Sequence, residues 1–313
     1  MIEATGVSKR YGDLEAVRRV SFSIPERQVI GLLGHNGAGK TTIMKMLTGY
    51  LEPNEGVILI DGQDAWHDRI GVRKKLGYLP ENCPVYPEMT VVDYLCFVAE
   101  MRGLHRDEIP MLVRESINRT RLEEKALAQI RTLSRGFQQR VGVAQAILHA
   151  PKIIILDEPT NGLDPSQIGD MRSLIRDLAK HSTIILSTHI LQEVEAICDR
   201  VIIIRRGQVA VDSSLSQLQQ STRLDISVNR ELGATMRDLA QLPSVREVEQ
   251  TPDASGSFSY SIETSAGDES QMRSLSAAVG KRLFEQGFEV YSLHIAHQNL
   301  ENVFRNASSL GGN

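Results

Sequence analysis

The chain has 313 residues, of which 24% are charged and 41% hydrophobic, and its formal net charge is −4. That length allows one large or two medium domains with cores of their own, and the mild acidity disfavours a nucleic-acid partner or a basic membrane-binding patch. Unbroken apolar runs, such as Ile153 to Leu156 and Val201 to Ile204, fall far short of the ~20 residues that span a bilayer, so no transmembrane helix is expected. The N-terminal Met-Ile-Glu-Ala-Thr-Gly lacks a basic stretch leading into an apolar one and a cleavage site, which predicts a chain that stays in the cytoplasm. Cys83, Cys96 and Cys198 are odd in number and show no metal-like spacing, so they are expected to be reduced.

Strand-like stretches at Ile2 to Val7, Val20 to Ile24 and Val29 to Leu33 lead into Gly34-His35-Asn36-Gly37-Ala38-Gly39-Lys40-Thr41. A helical stretch follows from Thr42 to Leu47. This is a complete G-x-x-x-x-G-K-[ST] loop in strand-loop-helix context, and it predicts a phosphate cradle. Its glycines leave backbone N–H groups free to face a nucleotide, Lys40 reaches the β and γ phosphates, and the Thr41 hydroxyl can sit on Mg2+. Gly34 through Thr41, with Thr42, are therefore candidate nucleotide contacts. A strand at Val57 to Ile60 follows, and the segment from about 83 to 148 turns helical in periodicity, with helices expected at Val91 to Gly103, Ile109 to Arg119 and Gln138 to Ala150.

Lys152 to Leu156 reads as a buried parallel strand delivering Asp157 and Glu158 at its C-terminal edge. An acidic pair alone would simply end a strand. Beside the phosphate loop, Asp157 is placed to hold Mg2+, directly or through water, and Glu158 to face the γ phosphate and polarise the attacking water. Together with the first ~75 residues, 150 to 211 make an α/β core, closed by strands Arg200 to Ile204 and Val209 to Asp212.

Between these halves, Leu133-Ser134-Arg135-Gly136-Phe137-Gln138-Gln139-Arg140 resembles the signature motif of ATP-binding-cassette ATPases, with Arg135 where the commonest form has a second glycine. The resemblance implies a P-loop NTPase cassette, a RecA-like core plus helical subdomain, that hydrolyses ATP with Mg2+. It implies a homodimer in which Ser134 and Gly136 of one chain contact the γ phosphate held by the other, an anion site that a helix N-terminus favours. Carried over residue by residue, Tyr11 stacks on adenine, Asp164 in Asn161-Gly162-Leu163-Asp164-Pro165 helps align the dimer, and His189 in Leu186-Ser187-Thr188-His189 contacts the γ phosphate. Lys40, Glu158 and His189 form the implied catalytic set, and Thr41, Glu81 and Asp157 the implied Mg2+ set. Glu81, in Gly77-Tyr78-Leu79-Pro80-Glu81-Asn82, stands where the family usually has glutamine. It adds a negative charge and loses an amide donor, yet keeps an oxygen for the metal. Glutamate there is similar to export cassettes of the gliding-motility and multidrug class.

Membership of that class implies an integral-membrane transporter subunit on a separate chain, with this chain peripheral on the inner face of the cell membrane. The apolar turn Pro84 to Met89 is then either a docking point for that partner or internal packing. A soluble cassette ATPase without a membrane partner is the competing reading, but no second cassette or coiled-coil insert is present.

Beyond the cassette, expected to span 1–212, the Ser- and Gln-rich segment 213–222 reads as a short helix or linker. Leu224 to Val228, Gly233 to Leu242, Val245 to Thr251, Phe258 to Thr264, Glu269 to Gln286 and Glu289 to Ala296 then give the order βαββαβ. That order predicts a small α+β ferredoxin-like domain over 223–297, with its hairpin turn at Asp253 to Gly256. Such a fold licenses no particular activity; regulation, dimer support, partner contact and passive stabilisation all remain open. The tail 298–313 includes Gln298 to Phe304, which resembles the acidic-Val-Phe ending of export cassettes, and its last six residues are expected to be disordered.

Overall fold

The computed structural model describes residues 1–219, 223–251, 258–265, 269–296, 300–301 and 303–304. The expected hairpin turn and most of the tail lie outside them. Two compact units divide the chain, Met1–Leu215 and one beginning at Ser216.

The first unit runs β1 (Ile2–Tyr11), β2 (Leu14–Ile24), β3 (Val29–Leu33), α1 (Lys40–Leu47), β4 (Glu55–Ile60), β5 (Gln63–Asp64), α2 (Arg69–Lys75) and β6 (Leu76–Leu79). It continues through α3 (Val91–Met101), α4 (Ile109–Arg119), α5 (Arg135–Ile147), β7 (Ile153–Asp157), α6 (Pro165–Ala179), β8 (Thr183–Thr188), α7 (Leu191–Ile197), β9 (Arg200–Arg205) and β10 (Gln208–Ser214). A short helix, α8 (Leu215–Gln219), follows. Strands β1 and β2 are longer than expected because they form one antiparallel hairpin, paired from Ile2↔Ile24 to Tyr11↔Leu14, and cross-strand bonds extend both past their apolar ends. Helix α5 starts three residues before its apolar pattern because the Ser134 hydroxyl accepts from the Phe137 N–H and caps it.

A six-stranded sheet in the order β10-β9-β3-β8-β7-β6 forms the centre of this unit. It is parallel from β9 to β6, with β10 antiparallel at one edge. Every residue of β3, β7 and β8 is buried, the pattern of parallel strands covered on both faces. A second sheet, β2-β1-β4-β5, shares its core with α1 through Val17, Val20, Ile43 and Met44. Helices α3 to α5 have a core of their own around Tyr94, Leu95, Val113, Val141 and Ala144. Val85 and Met89 of the 84–89 turn pack into that core, while Tyr86 stays 55% exposed. No described helix is long and apolar enough to cross a membrane.

The second unit contains β11 (Arg223–Val228), α9 (Thr235–Ala240), β12 (Val245–Thr251), β13 (Phe258–Thr264), α10 (Glu269–Glu285) and β14 (Val290–Ala296). Its antiparallel sheet has the order β12-β13-β11-β14, the ferredoxin-like arrangement. Alternate burial of Leu224, Ile226 and Val228 on β11 meets Leu275, Val279 and Leu283 of α10 in one core, as period-2 and period-4 spacing require.

Candidate ATP site

The C-terminal ends of three neighbouring parallel strands build the site. Strand β8 lies between β3 and β7, pairing Leu33 with Thr188 and Asp157 with Ser187. Whatever follows these strands therefore converges at one sheet edge, where α/β folds bind ligands. The phosphate loop leaves β3, Glu158 follows β7, and His189 follows β8.

Tyr11, His35, Asn36, Gly37, Gly39, Lys40, Thr41, Thr42, Glu81, Glu158 and His189 line one cleft of about 450 Å³, joined by Leu14, Ala16 and Asn161. Gly39 caps α1 at φ 110 without a side-chain bond, so the first-turn N–H groups remain available to an anion. A Cβ at Gly39 would lie 2.7 Å from the Ala16 carbonyl, so only glycine fits there. Gly34 and Ala38 support the loop from behind: the Lys40 ammonium donates to the Gly34 carbonyl at 2.6 Å, and Ala38 is buried. Burial lowers the Lys40 pKa, against the opposing pull of Glu158, Asp157 and Glu81.

Asp157 is buried. Its Oδ1 accepts from the Ser187 hydroxyl, while its Oδ2 has no protein partner. Desolvation raises its pKa. Glu158 adopts φ 50, a left-handed conformation that costs a non-glycine residue roughly 1–2 kcal/mol, and its N–H donates to the Ser187 carbonyl at 3.1 Å. That turn carries the side chain off the strand line and into the cleft. His189 Nδ1–H donates to Glu158 Oε2 at 2.9 Å. An ionised carboxylate only accepts, so this bond fixes the tautomer. Burial raises the Glu158 pKa, and His189 and Lys40 pull it back. The turn after β8 is held in turn by Thr188, whose hydroxyl donates to the buried Glu193 at 2.9 Å and accepts from the Ile190 N–H at 3.1 Å.

Glu81 follows β6, which α5 grips through the Gln145 side-chain amide donating to the Tyr78 carbonyl at 3.0 Å. Neighbouring Cys83 packs on Gly142, where a Cβ would lie 2.5 Å from its sulfur, and burial pushes its thiol up to about 12. Ser134 and Gly136 do not line this chain's cleft. Ser134 caps α5, and a Cβ on Gly136 would meet Gln167 Oε1 at 2.5 Å. Asp164 caps α6, accepting from the Gln167 N–H at 2.9 Å. Sequence reasoning missed Leu14, Ala16, Asn161 and Ser187 as parts of the site. Ser187 carried a signal, since a hydroxyl in a fully buried strand, Thr183–Thr188, needs a partner.

Mg2+ fits the donors present. Asp157 Oδ2 is a buried oxygen without a partner, and Thr41 and Glu81 add oxygen donors at the cleft wall. No cluster of three His, Cys, Asp or Glu side chains among the described residues could hold a metal alone. Mg2+ is usually held that way, by one or two carboxylates with substrate phosphates completing the shell.

Residues 17–161 match the family model described as ABC transporter. The chain is 37% identical over 229 residues to the ABC transporter ATP-binding protein NatA of Bacillus subtilis (strain 168), covering 71% of this chain and 93% of the relative. It is 30% identical over 316 residues to the linearmycin resistance ATP-binding protein LnrL of the same organism, covering 98% of this chain and 97% of the relative. A bacterial ABC transporter cassette solved as a dimer superposes with a TM-score of 0.63 at 25% identity, covering 69% of this chain and 99% of that one. The chain therefore belongs to the ATP-binding proteins of ABC transporters, as the ATP-binding and ATP-hydrolysing subunit.

Proposed function

We propose that this chain powers export through a separate integral-membrane subunit, by hydrolysing ATP at Glu158 within a homodimer. The observation that carries the catalytic assignment is the buried Glu158 on the cleft wall, with one carboxylate oxygen held by His189 and Lys40 on the same wall. Lys40 exchanges the Gly34 carbonyl for the β and γ phosphate oxygens. The loop N–H groups from Gly34 to Thr42 surround the same phosphates, and Tyr11, 48% exposed, offers its ring to the adenine. Thr41, Glu81 and Asp157 hold Mg2+, which when bound neutralises charge on the β and γ phosphates. Glu158 orients the attacking water and accepts its proton, while His189 holds the carboxylate in place through Nδ1–H and, as an imidazolium, donates Nε2–H to the γ phosphate.

Ser134 and Gly136 lie away from the cleft of their own chain, which supports their acting on the ATP of a second copy. The solved dimeric cassette supports the same pairing. The near full-length relative is named for linearmycin resistance, which favours export as the direction. With its membrane subunit, the chain would sit on the cytoplasmic face of the cell membrane.

Glu158→Gln is the test. The variant is expected to bind ATP with Mg2+ as the parent does, to turn over ~100-fold or more slower, and to accumulate as an ATP-bound dimer. Purified from detergent-solubilised membranes, it should carry a polytopic protein in stoichiometric amount. Parental turnover would remove Glu158 from catalysis, and recovery only as a soluble dimer would count against the transporter partner.

A further inference from the structure

The residue that departs from the signature pattern, Arg135, has a structural contact of its own. It is the first residue of α5, and its guanidinium lies flat over Gly162. A Cβ at Gly162 would sit 2.7 Å from Arg135 Cζ, 2.8 Å from Nη1 and 2.9 Å from Nε. Arg135 is exposed and, among the described residues, its side chain makes no hydrogen bond or ion pair. Planar packing on bare backbone is therefore its contact, a use suited to guanidinium and not to ammonium.

Gly162 belongs to a tight loop. The Asn161 N–H donates to the Glu158 carbonyl at 3.1 Å, and the Leu163 N–H to the Thr160 carbonyl at 3.1 Å. Gly162 itself holds φ 73. With both ends of the loop bonded and Asn161 and Glu158 both in the cleft wall, a shift at Gly162 must move one or both of them. Beside Arg135 on α5, Gly136 packs against Gln167 of α6, and Arg140 donates to Asp170 of α6 at 2.6 Å.

We propose that Arg135 is a positioning residue for the ATP cleft, bracing the loop 158–164 through Gly162 so that Asn161 and Glu158 keep their places. Its effect on turnover rests on the assignment of Glu158 above; the brace itself does not. Four variants test it: Arg135→Ala, Arg135→Lys, Gly162→Ala and the double Arg135→Ala/Gly162→Ala. Amide hydrogen exchange of 159–164 is read in the nucleotide-free full chain, and steady-state ATP turnover beside it.

Arg135→Ala should raise exchange across 159–164 and lower kcat ~5-fold with KM for ATP within ~2-fold, because a loosened wall misplaces the base without removing phosphate contacts. Lysine should fail to restore either. In the double variant the two effects should combine at least ~3-fold short of additive, because an alanine methyl at 162 already displaces the guanidinium. The strain of alanine at φ 73 is common to both Gly162 variants and cancels in the cycle. Unchanged exchange in Arg135→Ala, full rescue by lysine, or strict additivity would each overturn the proposal. Because exchange is measured without nucleotide, it decides the brace even where Glu158→Gln turns over normally.

Discussion

The two units bury polar groups in opposite ways. In the first, Lys40, Asp157, Glu158 and Glu193 are buried and ionisable, and Asp157 Oδ2, Thr160 Oγ1 and Glu193 Oε1 have no protein partner. In the second, the buried polar side chains among the described residues are the neutral Thr235, Ser261 and Thr264. There the Tyr260 hydroxyl is matched by the Leu232 N–H at 3.0 Å, and Thr235 donates to Gln286. Desolvated charge and orphaned oxygens lower stability. In the first unit, Lys40 and Glu158 line the cleft proposed to hold the nucleotide and Asp157 ends the strand that precedes Glu158, while Thr160 and Glu193 stand outside that lining. The second fills its interior, among the described residues, with apolar side chains and these neutral polar ones.

Lys40→Ala should separate the units most sharply, lowering kcat/KM for ATP about 10²–10³-fold while leaving unfolding of the second unit unchanged. An effect under ~10-fold would mean that this buried cation serves the loop rather than the phosphates. Ile226→Ala makes the converse test. It empties a buried position on the central strand β11, and should cost about 2–4 kcal/mol in thermal or denaturant unfolding of that unit. KM for ATP should hold, and a large change in it would show that the units are energetically coupled.

The smallest effect is in pH. Burial raises the Glu158 pKa, so lowering the pH protonates it earlier than an unperturbed glutamate. The acid limb of kcat/KM, which reports the nucleotide-free enzyme, should therefore lie above about 4.3, with kcat/KM rising as pH rises through it. Ile226→Ala should keep that limb, and an acid limb at or below the unperturbed value would count against a desolvated base.

Much of the site was legible because it is local. Eight consecutive residues, Gly34 to Thr41, make the phosphate loop, and their backbone does most of the binding, so the motif and its flanking periodicity suffice. The alternation in β11 and the four-residue spacing in α10 were legible for the same reason: side-chain direction repeats with the local backbone. Helices α2, α6 and α7 were not anticipated, α7 being as short as α2. The first is only seven residues long, too short for periodicity to register, and α6 begins at a proline after Asp164, a start signal legible in Asn161 to Pro165 but read there only as a family motif.

The residue types for a nucleotide-hydrolysing cassette, their spacing and the order of elements follow from the chain as written. Which of them meet depends on strand order and register, and these are set by long-range pairing that no window of sequence contains. Ser187 reaches Asp157 because β8 pairs with β7 in parallel at that residue. Arg135 reaches Gly162 because α5 packs along the loop into α6. Both contacts join residues far apart in the chain, Ser187 and Asp157 by 30 positions and Arg135 and Gly162 across the helix between them, and both arise from packing rather than from the motif in which either partner sits.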